Sequence, residues 1–164
     1  MILDKIVEKK KIRVDELKAS CNFEELVKNA KNTLSRASFY EALKKPGLSI
    51  IGEAKKASPS KGLIKPDFDY MSIAEEYSKS VDAISVLTEE DFFLGSPKYL
   101  KEISGKIKTP LLRKDFIIDE IQIYEAKILG ASAVLLIAAI LDLDTMKKYI
   151  KITKEIGLDA LVEV

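Results

Sequence analysis

Ala133-Val134-Leu135-Leu136-Ile137-Ala138-Ala139 is an unbroken apolar run, preceded by Gly130 and followed by an amphipathic stretch that starts near Leu143. A strand with one wet face alternates apolar and polar residues, whereas an unbroken run needs apolar cover on both faces. That is the pattern of a strand inside a parallel sheet sandwiched by helices. Outward from it the same alternation repeats. Asp119 to Leu129 reads as a helix stopped at Gly130, and Pro110-Leu111-Leu112-Arg113-Lys114 as the strand before it. Further back come a helix over Pro97 to Ile107 with Pro97 in its first turn, the strand Ala83-Ile84-Ser85-Val86-Leu87, a helix over Met71 to Lys79, and a first strand in Leu48 to Lys55. Forward, Leu143 to Ile156 is helical with Gly157 as its stop, and a fifth strand begins at Asp159. Each parallel connection needs a crossover, so the fold class is α/β, and a doubly wound sheet and a (β/α)8 barrel both satisfy the pattern.

The first 47 residues differ. Ile2, Leu3, Ile6 and Val7 recur at helical spacing, Phe23 to Ala30 and Ser35 to Leu43 are further helices, and Ser38 stands three residues before Glu41 as a cap. Pro46-Gly47 closes this region. The expected organisation is a helical extension over 1–47 and a strand–helix body over 48–164, together one domain. The Lys9-Lys10-Lys11 run is expected to be a solvated face. A fifth strand with no helix after it is an odd place for a complete parallel domain to stop.

Composition removes several function classes. Lys plus Arg (27) against Asp plus Glu (26) leaves a net charge of +1, which gives no support for nucleic-acid binding. The single cysteine, Cys21, cannot form an internal disulfide and is expected to be a small half-buried residue in a reducing compartment. No stretch approaches the ~20 apolar residues that span a bilayer. The expected setting is the cytoplasm, with no membrane partner. The chain has no histidine, so His-based triads and His-liganded metals are excluded within it, and proton transfer falls to Lys, Glu, Asp or Tyr. Neither Gly-x-Gly-x-x-Gly nor Gly-x-x-x-x-Gly-Lys-Ser/Thr occurs, which removes the best support for nucleotide binding.

Ligands of parallel α/β folds meet the C-terminal ends of the strands. Four of the five ends here are charged: Glu53-Ala54-Lys55-Lys56, Thr88-Glu89-Glu90-Asp91, Arg113-Lys114-Asp115 and Glu163. The side-chain period of two puts Glu53 and Lys55 on one side of their strand. Singly, each reads equally well as a structural ion pair or a solvated strand end.

In order, the segments are specific. Glu53-Ala54-Lys55-Lys56-Ala57-Ser58-Pro59-Ser60-Lys61-Gly62 resembles the first-strand signature of indole-3-glycerol phosphate synthases. Ser85-Val86-Leu87-Thr88-Glu89 with Phe92-Phe93-Leu94-Gly95-Ser96 resembles their second strand and loop. Leu112 to Asp119 with Gln122 to Ala126, then Gly130 to Ala139, then Leu161-Val162-Glu163-Val164, complete the series.

The resemblance implies a (β/α)8 TIM barrel and a lyase of tryptophan biosynthesis. Without metal or organic cofactor, such a synthase converts 1-(2-carboxyphenylamino)-1-deoxyribulose 5-phosphate into indole-3-glycerol phosphate with loss of carbon dioxide and water. On matching positions it implies Lys114 as general acid of ring closure and Glu163 as general base of dehydration. It further implies Lys55 as an anion-binding group and second acid, and Glu53 as the residue that holds a lysine in position. Phe93 and Phe116 would pack on the anthranilate ring, and Ser58 would line the site. Three later strands and most of the phosphate site would lie beyond Val164, so this chain alone is expected to be inactive and to self-associate through open sheet edges. Two other readings are a phosphoribosylanthranilate isomerase-like barrel, which would need a cysteine at the end of the first strand, and a non-catalytic α/β binding or assembly module.

Overall fold

The computed structural model describes residues 1–164. Five strands form one parallel sheet in chain order: β1 (Ile51–Ala54), β4 (Ala83–Leu87), β5 (Leu111–Lys114), β6 (Ala133–Ile137) and β7 (Asp159–Glu163). A short antiparallel hairpin, β2 (Ala57–Ser58) with β3 (Gly62–Leu63), occupies the loop after β1, where the sequence indicated only a turn-rich segment. The crossovers are α4 (Tyr70–Tyr77), α5 (Pro97–Lys106), α6 (Glu120–Ile128) and α7 (Leu143–Glu155). The parallel α/β architecture is the one the apolar run at 133–139 implied.

The pleat sorts the strand residues into two cores. Ile84, Val86, Leu111, Val134 and Leu136 face the crossover helices and join Leu100, Ile103, Ile123 and Ile152 in the larger cluster. Their alternates Ala83, Leu112, Ala133, Leu135 and Ile137 face the other way, into the concave side of the sheet, and pack on Phe39. Both faces of β6 are thereby buried, which is why its sequence carries no polar alternation. Gly52 on β1 is required by close approach: a Cβ there would lie 2.6 Å from the Tyr77 ring of α4.

Residues 1–47 wrap this sheet from end to end. α1 (Ile2–Ser20) lies against the loops at the C-terminal strand ends, α2 (Phe23–Asn32) packs on α6, and α3 (Phe39–Leu43) reaches the N-terminal ends. α3 is shorter than the expected Ser35–Leu43 helix. Residues 33–38 are spent instead on crossing the strand starts, where the Arg36 guanidinium donates to the carbonyls of Ser104 (2.7 Å) and Ile107 (2.5 Å). Ser38 does cap α3, accepting from the Glu41 amide, and its hydroxyl donates to Asp159 at 2.8 Å. Lys127, deeply buried on α6, donates to Ser35 at 2.7 Å, and burial lowers its pKa. No helix is long and apolar enough to cross a membrane.

The lysine-rich run departs from expectation. Lys9 and Lys11 are exposed, but Lys10 is 4% exposed and its Nζ lies 2.7 Å from Asp115. The residues of α1 that are buried are Ile6, Lys10 and Val14, a stripe with a spacing of four, so Lys10 points where the apolar residues point.

Candidate active site

The register of the sheet decides which strand-end charges meet. Glu53 pairs across with Ser85, Ser85 with Leu112, Leu87 with Lys114, and Ile137 with Glu163. Neighbouring strands share the phase of the pleat, so Glu53, Lys114 and Glu163 all stand on the concave side with Leu112 and Ile137, above the plug formed by Phe39. Lys55, one residue past the end of β1, reaches back to Glu53 with its ammonium group.

Glu53 bridges two ammonium groups. Its Oε2 lies 2.6 Å from Lys114 Nζ and its Oε1 2.5 Å from Lys55 Nζ. Burial pushes the Glu53 carboxyl up, but hydrogen bonds and charge from Lys114 and Lys55 outweigh it and leave the pKa below the ordinary glutamate value. The carboxylate is therefore fixed as an anion between two cations, all three partly open to solvent. Lys114 also borders a cleft of about 170 Å3, together with Leu87, Phe93, Phe116, Ile137 and Glu163. The Phe93 and Phe116 rings stand 6.1 Å apart at 39°, a tilted aromatic wall on this cleft. Lys55 borders an adjoining cleft of about 260 Å3 beside Lys65 and Tyr77.

Ser58 follows β1 in the first loop and is buried. Ser58 lies in β2, and its hydrogen-bond partners, Ser60 (3.5 Å) and the Lys61 amide (3.3 Å), belong to its own turn. Cys21 is half-buried at the C-cap of α1 and donates to the Leu17 carbonyl, far in sequence from the first strand. No three His, Cys, Asp or Glu side chains come together in a way that would hold a metal ion.

The supports of the site are buried charges that the sequence marked only as charged strand ends or, for Lys10, as part of a solvated run. Asp115 is 2% exposed, salt-bridged to Lys10 (2.7 Å) and to Arg113 (3.4 Å), and it accepts from the Thr88 hydroxyl at 2.6 Å. Its other contact is the Phe116 amide, which donates to it at 2.8 Å. Burial alone would raise the Asp115 pKa, but Lys10, Arg113 and Thr88 hold it below the usual carboxylate range. Arg113 points opposite to Lys114, into the helix layer, and pairs with Glu125 at 2.6 Å. Burial opposes its charge, yet Glu125 and Asp115 keep it fully cationic. Glu89, fully buried, accepts from the amides of Asp91 (3.0 Å), Phe92 (2.7 Å) and Phe93 (2.9 Å), which folds the loop that presents Phe93. Gly95 closes that loop against the chain, since a Cβ there would meet the Leu87 carbonyl oxygen at 2.3 Å.

The family model of indole-3-glycerol phosphate synthase matches residues 3–164. The chain is 53% identical over 165 residues to the indole-3-glycerol phosphate synthase of Thermoanaerobacter pseudethanolicus, covering 100% of this chain and 63% of the relative. It is 52% identical over 169 residues to that of Endomicrobium trichonymphae, covering 99% and 64%. The figure for that of Clostridium acetobutylicum is 47% over 167 residues, covering 100% and 63%. The chain thus spans a little under two thirds of the length of these relatives. A parallel (β/α) sheet with a helical extension, charged residues gathered at its C-terminal strand ends, and a family match along nearly the whole chain place this protein in the indole-3-glycerol phosphate synthase family.

Proposed function

We propose that this chain carries the acid–base residues of an indole-3-glycerol phosphate synthase and acts on 1-(2-carboxyphenylamino)-1-deoxyribulose 5-phosphate. The observation that carries the reading is the Glu53–Lys114 pair at 2.6 Å, on the edge of an aromatic-walled cleft that also holds Glu163. The anthranilate ring packs against the wall formed by Phe93 and Phe116. Its carboxylate-bearing carbon attacks the ribulose carbonyl, and Lys114 donates a proton to the carbonyl oxygen as the carbon–carbon bond forms. The carbon–carboxylate bond then breaks, its electron pair returns to the ring, and carbon dioxide leaves. Lys55, as second acid, protonates the new hydroxyl, which departs as water, while Glu163 takes the proton whose loss makes the indole aromatic. Glu53 holds Lys114 and Lys55 by charge, and Lys55 binds the substrate's anionic groups and serves as a second acid. Ser58 lines the site through the first loop.

Residues 1–47 and 48–164 act as one domain in the cytoplasm, and the open edges at β1 and β7 pair with a second copy where no other strand covers them. Turnover requires the remaining third of the family's length, because barrels commonly build the phosphate site after strands seven and eight.

The test is indole-3-glycerol phosphate formation by the chain alone and mixed with a polypeptide supplying the later strands. Activity confined to the mixture and abolished by Lys114→Ala is expected. A folded mixture that binds but never turns over substrate would leave the chain a binding module.

A further inference from the structure

Phe116 stands between two elements and belongs to neither, since β5 ends at Lys114 and α6 begins at Glu120. Its amide and carbonyl make no hydrogen bond to other backbone groups. Side chains hold them instead: the amide donates to Asp115 at 2.8 Å, and the carbonyl accepts from Gln122 Nε2 at 3.0 Å. Gln122 is the third residue of α6 and is 2% exposed. Its Oε1 accepts from the amides of Ile118 (2.8 Å) and Asp119 (3.1 Å). One carboxamide thus closes three hydrogen bonds on the loop that carries one ring of the aromatic wall.

The choice of residue is informative. Glutamine and glutamate serve alike at this helix position when the task is to accept from the capping amide. An ionised glutamate only accepts, whereas a carboxamide both accepts and donates. The loop around Phe93 needs acceptors alone, because Glu89 meets three amides there. The loop around Phe116 offers two amides and one carbonyl, and a carboxamide matches all three. The bond from Nε2 to the Phe116 carbonyl is therefore additional to capping. Its effect on the ring follows from backbone geometry. Peptide groups are planar, so holding the amide before Cα and the carbonyl after it fixes both dihedrals of Phe116 and the direction of its Cα–Cβ bond. That bond carries the ring that borders the cleft, 6.1 Å from Phe93. We propose that Gln122 is a positioning residue of the site: by holding the Phe116 carbonyl it aims the Phe116 ring at the cleft beside Phe93. The use of this wall by substrate rests on the synthase reading above, but the aiming of the ring does not.

The full chain with labelled phenylalanine rings tests this by NMR, through the NOE between the Phe93 and Phe116 rings. Gln122→Glu keeps an acceptor for the two amides and removes the donor to the carbonyl, so the NOE is expected to be lost at neutral pH. Gln122→Met, which buries no charge, should lose it too and serves where the glutamate variant does not fold. Asp119→Ala is the capping control: it removes the side chain that accepts from the Ile121 amide and pairs with Lys18, while Gln122 stays in place. The NOE should survive there. An NOE of parent strength in either folded Gln122 variant, or one lost equally in Asp119→Ala, would overturn the proposal. In the mixture with the later strands, Gln122→Glu should raise KM roughly fivefold, the worth of about one hydrogen bond, and change kcat less, because ring packing serves ground and transition states alike. A KM unmoved in an active mixture would overturn the role at the site. A parent mixture that makes no product refutes the synthase reading and leaves the ring result standing.

Discussion

Lys114 and Asp115 are adjacent in the chain and carry opposite charges, yet they live in different regimes. Lys114 turns to the concave face, keeps 36% of its side chain in solvent and shares Glu53 with a second lysine. Asp115 turns to the helices, keeps 1%, and is held by Lys10, Arg113 and Thr88. An ion pair open to water contributes little to stability, and its partners can be lent to a substrate. A buried network cannot be lent, because removing one member strands the others in a medium that cannot solvate them. One strand end thus supplies both a group free to react and the anchor that keeps it in place, and the alternating pleat divides the two.

The sharpest break in this contrast is Asp115→Ala. It leaves Lys10 and Arg113 buried without their shared carboxylate and is expected to cost about 3–5 kcal/mol by chemical denaturation. It should also release α1 from the strand ends, which hydrogen exchange along residues 2–20 would register. Lys114→Met is the opposite case. Stability should change by less than about 1 kcal/mol, while product formation by the complemented chain should disappear. If the two variants unfold at the same denaturant concentration, the distinction drawn here is wrong.

Acid sharpens the comparison further. Asp115 and Glu53 both have folded-state pKa values below their unfolded ones, so each adds stability that is complete above the unfolded value near 4. That stability drains away as pH falls through the folded value. The larger share belongs to buried Asp115, so Asp115→Asn should flatten the acid limb of a stability–pH profile, and Glu53→Gln should flatten it less.

The smallest expected effect concerns Lys127, buried with a serine hydroxyl and no carboxylate as partner. Its folded pKa is lowered by burial, so protonation is disfavoured in the fold and stability rises with pH between the folded and the unfolded value near 10. Lys127→Met should erase that rise and leave neutral-pH stability unchanged or higher by about 1 kcal/mol.

Much of this was legible in the sequence. The apolar run at 133–139 implied two-sided burial, the Ser38 and Glu41 spacing implied a cap, and the Glu53 and Lys55 spacing implied a shared face. Each of these depends on a local period, and local periods survive folding. Lys10 was not recognised because composition marks a lysine run as solvated. Its spacing of four from Ile6 and Val14 was the available signal. Asp115, Thr88 and Glu89 looked like parts of charged strand ends, the same category as Lys114. Which of them turns inward depends on where β5 and β4 end, and a one-residue change in that boundary exchanges the two faces.

Phe39 gives the fold a direction in time. Its ring is buried against Ala83, Leu112, Ala133, Leu135 and Ile137, residues made between 44 and 98 positions after it. On a ribosome adding about 5–20 residues per second, the helical extension emerges first and then waits on the order of 5–20 s for the last wall of its pocket to be synthesised. During that interval the aromatic plug has nothing native to enter. The helical extension, made before the strands it plugs, is thus among the last elements to find its place.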